Sequence, residues 1–363
     1  AEAEWKGFLA GQGFKDPDKA FRVLREVVEG PGYVHVSSRT SELAYQLLPK
    51  LFALCPGQPR KPLPAARVRS CEAPLSDPDR VVTRLDSFVS AYGARATLFE
   101  LWNSNPALFT LLLLLFDRSE FLAELAIRTP ELVDELVTSE RLRQRKAAEE
   151  TLRDLRHGLR DADQHLWLRR YHQAELMRIG LRDILGLADF EQYLAELSAL
   201  AEACLQYALE VVRRRHRLKS APFAIIGLGK LGGGEIDYGS DLDILFVAEA
   251  QTGHLVRLAR LATEVMDLLS RRTELGVVFH TDARLRPDGE KGLMVNTLKG
   301  CEEYYRQRGQ LWELQTLTRS RTVAGDSKVG AQFEGLAARL TNFSQAKLSL
   351  AAYSPGWRAK VHE

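Results

Sequence analysis

Cysteine is scarce in this chain: four residues among 363, Cys55, Cys71, Cys204 and Cys301. None belongs to a CxxC pair and no histidine lies near them at zinc-ligand spacing, so neither a disulfide framework nor a structural zinc site is expected. Such use of cysteine suits a reducing compartment, and the expected location is cytoplasmic. Long hydrophobic runs are lacking too. The longest, Leu108–Phe116, contains Thr110 and is about half of the ~20 residues that a membrane span needs, so it reads as a buried helix. The opening AEAEWKGFLAG has neither the basic nor the apolar region of a secretory signal. An excess of one charge is also missing. Fifty basic and 48 acidic residues leave a formal net charge of +2, which offers no argument for a nucleic-acid or membrane partner. The one dense basic run, Arg213–Arg217 (RRRHR), reads as a solvated helix end.

What is present is an ordinary globular composition, 45% hydrophobic and 27% charged, on a chain long enough for roughly two to three domains. Apolar residues recur at helical spacing through Phe21, Leu24, Val27 and Val28, and again through Leu43, Leu47, Leu48 and Leu51. The segment Cys55–Ser70 is Pro-rich and basic, and its prolines make it a loop. Helical signals return at Asp79–Tyr92, after Asn105–Pro106 and after Thr129–Pro130. The charged stretch Glu140–Arg170 reads as one long, half-exposed helix. Residues 189–217 give the clearest amphipathic pattern, with Phe190, Leu194, Leu197, Ala201, Leu205, Ala208 and Val212 on one stripe.

At Ala221 the pattern changes. PFAIIGLG, LDILFV and VVFHTDARL (Val277–Leu285) read as short strands, with an amphipathic helix at His254–Arg271 between the second and third. After Arg319 the pattern reads as helical to the end. The fold class is therefore α+β and predominantly helical, with a small mixed sheet preceded and followed by helical regions.

The chemistry concentrates in IIGLGKLGGGEIDYGSDLDILF (Ile225–Phe246). Asp241 and Asp243 are two residues apart on the second strand, and period-two geometry puts both side chains on one face. Two carboxylates side by side on an apolar strand repel unless a cation compensates them, and Mg²⁺ favours carboxylates together with substrate phosphates. Asp282, on the third strand, completes a three-carboxylate metal site if that strand lies beside LDILFV. Such a site can hold two metals for an in-line displacement. The glycines allow close approach of backbone to phosphate, chiefly Gly229, Gly232 and Gly233, with Lys230 as a point charge and Ser240 just before the acidic pair. Arg284 and Arg286 follow at period two and are candidates for binding a triphosphate. No Walker A sequence is present, and the GxGxxG-like GLGKLGG lacks a dinucleotide-binding context because an acidic pair follows at once. Glu235 and Asp237 are weaker candidates whose plainer role is capping; Glu313 with Arg319 or Arg321 reads as surface pairing, and His280 as a satisfied sheet residue.

GLGKLGGGEIDYGSDLDILF, DARLRPDGEKGLMV and YYRQRGQLWELQTLTRSRTVAGD resemble the glutamine synthetase adenylyltransferase family over about Phe223–Asp326. LFDRSEFLAELAIRTPELVDELV looks like the helical region ahead of that family's C-terminal catalytic domain. The resemblance implies a polymerase β-like nucleotidyltransferase domain at 139–325, with its α/β core at 221–325. A helical domain at 1–138 would precede it, and 326–363 would begin a further helical region. It implies transfer of AMP from ATP to a tyrosine hydroxyl of glutamine synthetase, with Asp241, Asp243 and Asp282 as catalytic Mg²⁺ ligands. The implied partners are glutamine synthetase and, for a longer enzyme, the PII signalling protein, with no nucleic acid and no membrane. The family's opposing domain removes AMP by phosphorolysis, and the motif fits both. A nucleotidyltransferase acting on RNA or a small molecule, and a helical interaction module that only senses ATP, are the other readings.

Overall fold

The computed structural model describes residues 2–32, 36–57, 74–133, 140–249 and 254–342. The Pro-rich stretch from residue 58 onward and the end of the chain from residue 343 lie outside the described residues. Contacts divide the chain into two compact units, residues 1–145 with 173–193, and residues 146–172 with 194–363.

The first unit is helical, and its helix starts follow from local chemistry. Asp16, Asp77, Asn105 and Ser119 each accept a hydrogen bond from the backbone N–H three residues on, opening the helices Pro17–Glu29, Pro78–Tyr92, Pro106–Arg118 and Glu120–Arg128. Three of these place proline at the first turn, where its missing N–H costs nothing. The core is aromatic at its centre. Trp102 lies within ring contact of Phe88, Phe99 and Phe109, and Leu111–Phe116 is buried throughout. Leu108–Phe116 is thus a core segment. Among the described residues no single helix is long and apolar enough to cross a membrane.

In the second unit a mixed five-stranded sheet forms, ordered β3-β2-β1-β5 with β4 also on β2. β1 is Ala224–Gly227, β2 Leu242–Ala248, β3 Thr281–Asp282, β4 Val295–Thr297 and β5 Arg321–Gly325. β1 pairs antiparallel with β2 and with β5. β2 pairs parallel with β3 at its start and with β4 at its end. One sheet face, with Ile226, Leu245 and Val247, packs on Cys301 and Tyr305, on Leu314 and Leu317, and on Phe333 of three following helices. Ile225, Ile244 and Phe246 are also fully buried, so β1 and β2 are covered on both faces.

The structure departs from the sequence reading at four places. Glu140–Arg170 is not one helix: it breaks into turns at Glu140–Arg143 and Arg156–Arg160, around the helix Ala148–Leu155 and before the helix Gln164–Ile184. The break at Gly158 has a packing cause, since a Cβ there would stand 2.0 Å from the Trp167 ring, whose indole N–H donates to Leu155 O. The third strand shrinks to Thr281–Asp282. Val278 N–H donates to Leu269 O and Thr281 N–H to the Ser270 hydroxyl, so the backbone before Asp282 is bound to the end of the helix Leu255–Ser270 instead of a ladder. Arg321–Gly325, read as helical, is β5; the helix Ser327–Thr341 starts only after Asp326 caps it. Phe190, placed on the buried stripe, is 68% exposed at the first position of the helix Phe190–Arg215.

Candidate functional site

Asp243 is the second residue of β2, and Asp241 precedes the strand by one residue. β3 brings Asp282 to the register position opposite Asp243. Cα partners in a parallel pair project to the same side of the sheet, so the two carboxylates are neighbours. The Asp243 carboxyl is held above its ordinary range, first by burial and then by the charges of Asp282 and Asp241. Among the described residues its side chain has no hydrogen-bond donor. Asp282 is pulled the other way. Arg284 Nε and Nη2 both reach Asp282 Oδ2, at 2.8 and 2.5 Å, and the Arg284 N–H reaches Oδ1 at 2.8 Å, which holds the Asp282 carboxyl below its usual range.

The glycine segment is a turn of helix, Gly229–Gly233, entered from β1. Gly229 has φ +53°, and a Cβ there would stand 2.7 Å from Asp243 Oδ2. Gly232 is as constrained, because a Cβ would meet Arg319 O at 1.8 Å and Gly227 O at 2.5 Å. The turn is tied to β2 through Leu228 N–H to Asp243 O, 2.9 Å. Lys230 Nζ lies 3.0 Å from Asp237 Oδ2, and the Ser240 hydroxyl donates to Asp237 Oδ1. Those two donors hold the Asp237 carboxyl below its ordinary range.

Not every candidate stands free to meet a ligand. Arg286 is 9% exposed and donates to Ala283 O, Glu290 O and Gly292 O, so its guanidinium is spent on its own loop. Gly232 N–H donates to Leu228 O inside the turn. Glu235 pairs with Arg319 at 2.7 Å, Arg321 with Glu202 at 2.6 Å, and Glu313 binds Tyr304 Oη and Gln310 N, so the expected Glu313–arginine pairs do not form. The His280 side chain is exposed, while its carbonyl receives Leu242 N–H.

The supports of the site come from a pattern that the sequence reading passed over. The helix Phe190–Arg215 is buried almost all round from Glu196 to Val212, yet Ser198, Glu202, Gln206 and Glu210 are polar at four-residue spacing. Ser198 Oγ receives Ile236 N–H, Glu202 binds Arg321, Gln206 Oε1 receives Gly325 N–H, and Glu210 binds Arg156. Arg321 passes the restraint on by donating to Leu231 O and Gly232 O, both 3.1 Å away. Four polar residues at four-residue spacing on a largely buried helix were the available signal.

Among the described residues no group of three or more His, Cys, Asp or Glu side chains is arranged to hold a metal ion. Arg284 occupies both oxygens of Asp282, where it stands in a cation's place. The donor chemistry nonetheless fits a hard dication. Asp243 is half-buried, has no donor among the described residues, and is repelled by two like charges, a cluster that a divalent cation neutralises.

Residues 109–336 match the profile of the family described as glutamate-ammonia ligase adenylyltransferase. The chain is 33% identical to the bifunctional glutamine synthetase adenylyltransferase/adenylyl-removing enzyme of Aromatoleum aromaticum, over 82% of this chain and 33% of that protein. Relatives with the same name from Thioalkalivibrio sulfidiphilus and Pseudomonas aeruginosa are 30% and 31% identical, each over 92% of this chain and over 36% and 35% of their own length. The chain thus spans about a third of the length of the curated relatives it matches.

Proposed function

Because the chain belongs to the glutamate-ammonia ligase adenylyltransferase family, we propose that β2, β3 and the glycine turn form an adenylyl-transfer site moving AMP from ATP to a tyrosine hydroxyl of glutamine synthetase. The observation that carries this reading is the placement of Asp243 opposite Asp282, with Asp241 beside it and Gly229 against the Asp243 carboxylate. We assign the sheet and the helices packed on it to a nucleotidyltransferase domain like that of DNA polymerase β, in a cytoplasmic enzyme; the expected bounds 139–325 take in 173–193, which group with 1–145, and leave out the helix Ser327–Thr341, whose Phe333 packs on the sheet.

Asp241, Asp243 and Asp282 would hold Mg²⁺, as one ion or two, which supplies charge neutralisation and Lewis acidity at the α-phosphate. Holding Asp282 as a ligand requires Arg284 to leave it. Arg284 is largely exposed, so its guanidinium is free to turn to the triphosphate. Lys230 and Ser240, now closed on Asp237, are the nearby groups to meet the β- and γ-phosphates. The tyrosine oxygen bonds to the α-phosphorus as the α–β bridge breaks, pyrophosphate leaves with the electron pair, and the tyrosyl proton passes to a base. We assign Arg286 to holding the Ala283–Gly292 loop rather than to the triphosphate.

The printed name shared by the relatives also covers AMP removal, so the second reading is phosphorolysis of AMP-tyrosine to release ADP. One experiment separates them. Unmodified glutamine synthetase is incubated with this chain, Mg²⁺ and α-labelled ATP, and adenylylated glutamine synthetase is incubated in parallel with phosphate. Label entering protein, and lost in Asp243→Asn, supports transfer. ADP appearing only in the parallel sample supports removal. No reaction in either rejects glutamine synthetase as the substrate of this chain.

A further inference from the structure

The basic run Arg213–Arg217 is unexplained by the adenylyl-transfer site. It ends the helix Phe190–Arg215, where Leu218 N–H returns to Arg213 O across Arg217 at φ +53°. The turn Arg156–Arg160, more than 50 residues earlier, lies against this helix end (Arg156 to Glu210 is a step of 54 residues). Together Arg156, His157, Arg160, Glu210, Arg213 and Arg214 line a recess of about 600 Å³. Its lining thus includes four arginines and one carboxylate. Glu210 is fully engaged, receiving Arg156 Nε at 3.0 Å and Nη2 at 2.6 Å and Gln206 Nε2 at 3.1 Å. Arg213 Nη1 donates to Lys219 O. Among the described residues the side chains of Arg160 and Arg214 have neither a hydrogen-bond nor an ion-pair partner. The recess therefore carries uncompensated positive charge in planar, fork-shaped donors, inside a concavity of the size that holds small ligands.

We propose that this recess is a binding site for a small polyanion, a molecule with two or more phosphate or carboxylate groups. Its charges meet Arg160 and Arg214 directly and compete with Glu210 for Arg156. A macromolecular polyanion fits less well, because the whole chain has a net charge of only +2 and Arg160 and Arg214 line one recess. The position also suits an effector. Glu210 is the last member of the polar ridge whose other members hold Gly325 and, through Glu202 and Arg321, the glycine turn.

The test is calorimetric titration of the 363-residue chain with inorganic tripolyphosphate at physiological salt, with chain and buffer freed of divalent ions beforehand on a chelating resin so that no divalent ion links the probe to the acidic site. Saturable binding at one site is expected, about tenfold weaker in Arg160→Gln/Arg214→Gln. Both side chains are exposed, so that variant keeps its fold. Glu210→Gln, which removes the competing carboxylate, tightens binding, and Asp243→Asn leaves it unchanged. Citrate in place of tripolyphosphate shows whether carboxylates serve as well as phosphates. Binding that survives the arginine changes but falls in Lys230→Gln belongs to the catalytic site and overturns the proposal. So does the absence of saturation, or tighter binding of a single-stranded oligonucleotide than of tripolyphosphate.

Discussion

The Asp243 carboxylate is the residue on which the site turns. Its raised pKa means that its ionised form is less stable in the folded chain than in the unfolded one, so a neutral replacement relieves repulsion from Asp282 and Asp241. Asp243→Asn is therefore expected to abolish adenylyl transfer without lowering the thermal midpoint, checked by label transfer and calorimetry side by side. Gly229→Ala should lose most activity as well. It places a methyl 2.7 Å from Asp243 Oδ2 at a φ of +53°, a left-handed strain of about 1 kcal/mol before the clash is counted. Retained turnover in Gly229→Ala would show that the turn does not approach the carboxylate during the reaction. His172 makes a different prediction. Buried against Phe279 and near Arg169, it is pushed down to about 3 by desolvation, and its Nε2 has no partner among the described residues. A depressed histidine binds its proton only in the unfolded state between the two pKa values. Stability is thus complete above about pH 6.5 and falls by up to about 1.4 kcal/mol per unit as pH drops from there towards 3. Urea unfolding at a series of pH values should show this slope in the native chain and a shallower one in His172→Asn.

At the scale of elements, the strand Thr281–Asp282 is short because the chain ahead of it is committed elsewhere. Arg169, fully buried on the helix Gln164–Ile184, donates to the carbonyls of His165, Leu268, Arg271 and Gly276. It satisfies the C-terminal end of the helix Leu255–Ser270 and fixes the path that leads to Asp282. Arg169→Met leaves these buried carbonyls unmatched and should cost about 3 kcal/mol or more in denaturant unfolding. The same logic explains what was legible at this scale. Ala224–Gly227, Leu242–Ala248 and Leu255–Ser270 announce themselves by apolar run or period, since their neighbours in sequence already dictate burial. β4 and β5 do not. Val295–Thr297 is too short for a period, and Arg321–Gly325 is a strand only because β1 offers it an edge. The break at Gly158 depends on Trp167 nine residues later, which no local pattern reports.

For the whole molecule, the proposed site predicts linkage between ligand and stability. Mg²⁺ with ATP binds the folded chain alone, so saturation at about 100 times Kd adds about 2.7 kcal/mol, a rise of several degrees in the thermal midpoint. The rise should vanish with EDTA and in Asp243→Asn. A shift that persists in both would place nucleotide binding elsewhere on the chain. The near-neutral charge balance agrees with a surface that acts through local clusters, acidic around β2 and basic at the end of the helix Phe190–Arg215, instead of through a global field.

The sequence by itself determined the helical majority, the two central strands, the placement of Asp241 and Asp243 two residues apart, and the family. These follow from local period, from turn chemistry and from contiguous motifs, all of which one segment of chain carries alone. Tertiary structure decided the rest. It set Asp282 opposite Asp243, spent Arg286 on loop carbonyls and turned Arg284 onto Asp282. It also aligned Ser198, Glu202, Gln206 and Glu210 with partners scattered from Arg156 to Gly325, and gathered two distant arginine runs into one recess. A charge or a donor has its meaning fixed by what lies within a few ångströms, and for the polar ridge those neighbours come from segments 38 to 119 residues away, from Ile236 for Ser198 to Arg321 for Glu202.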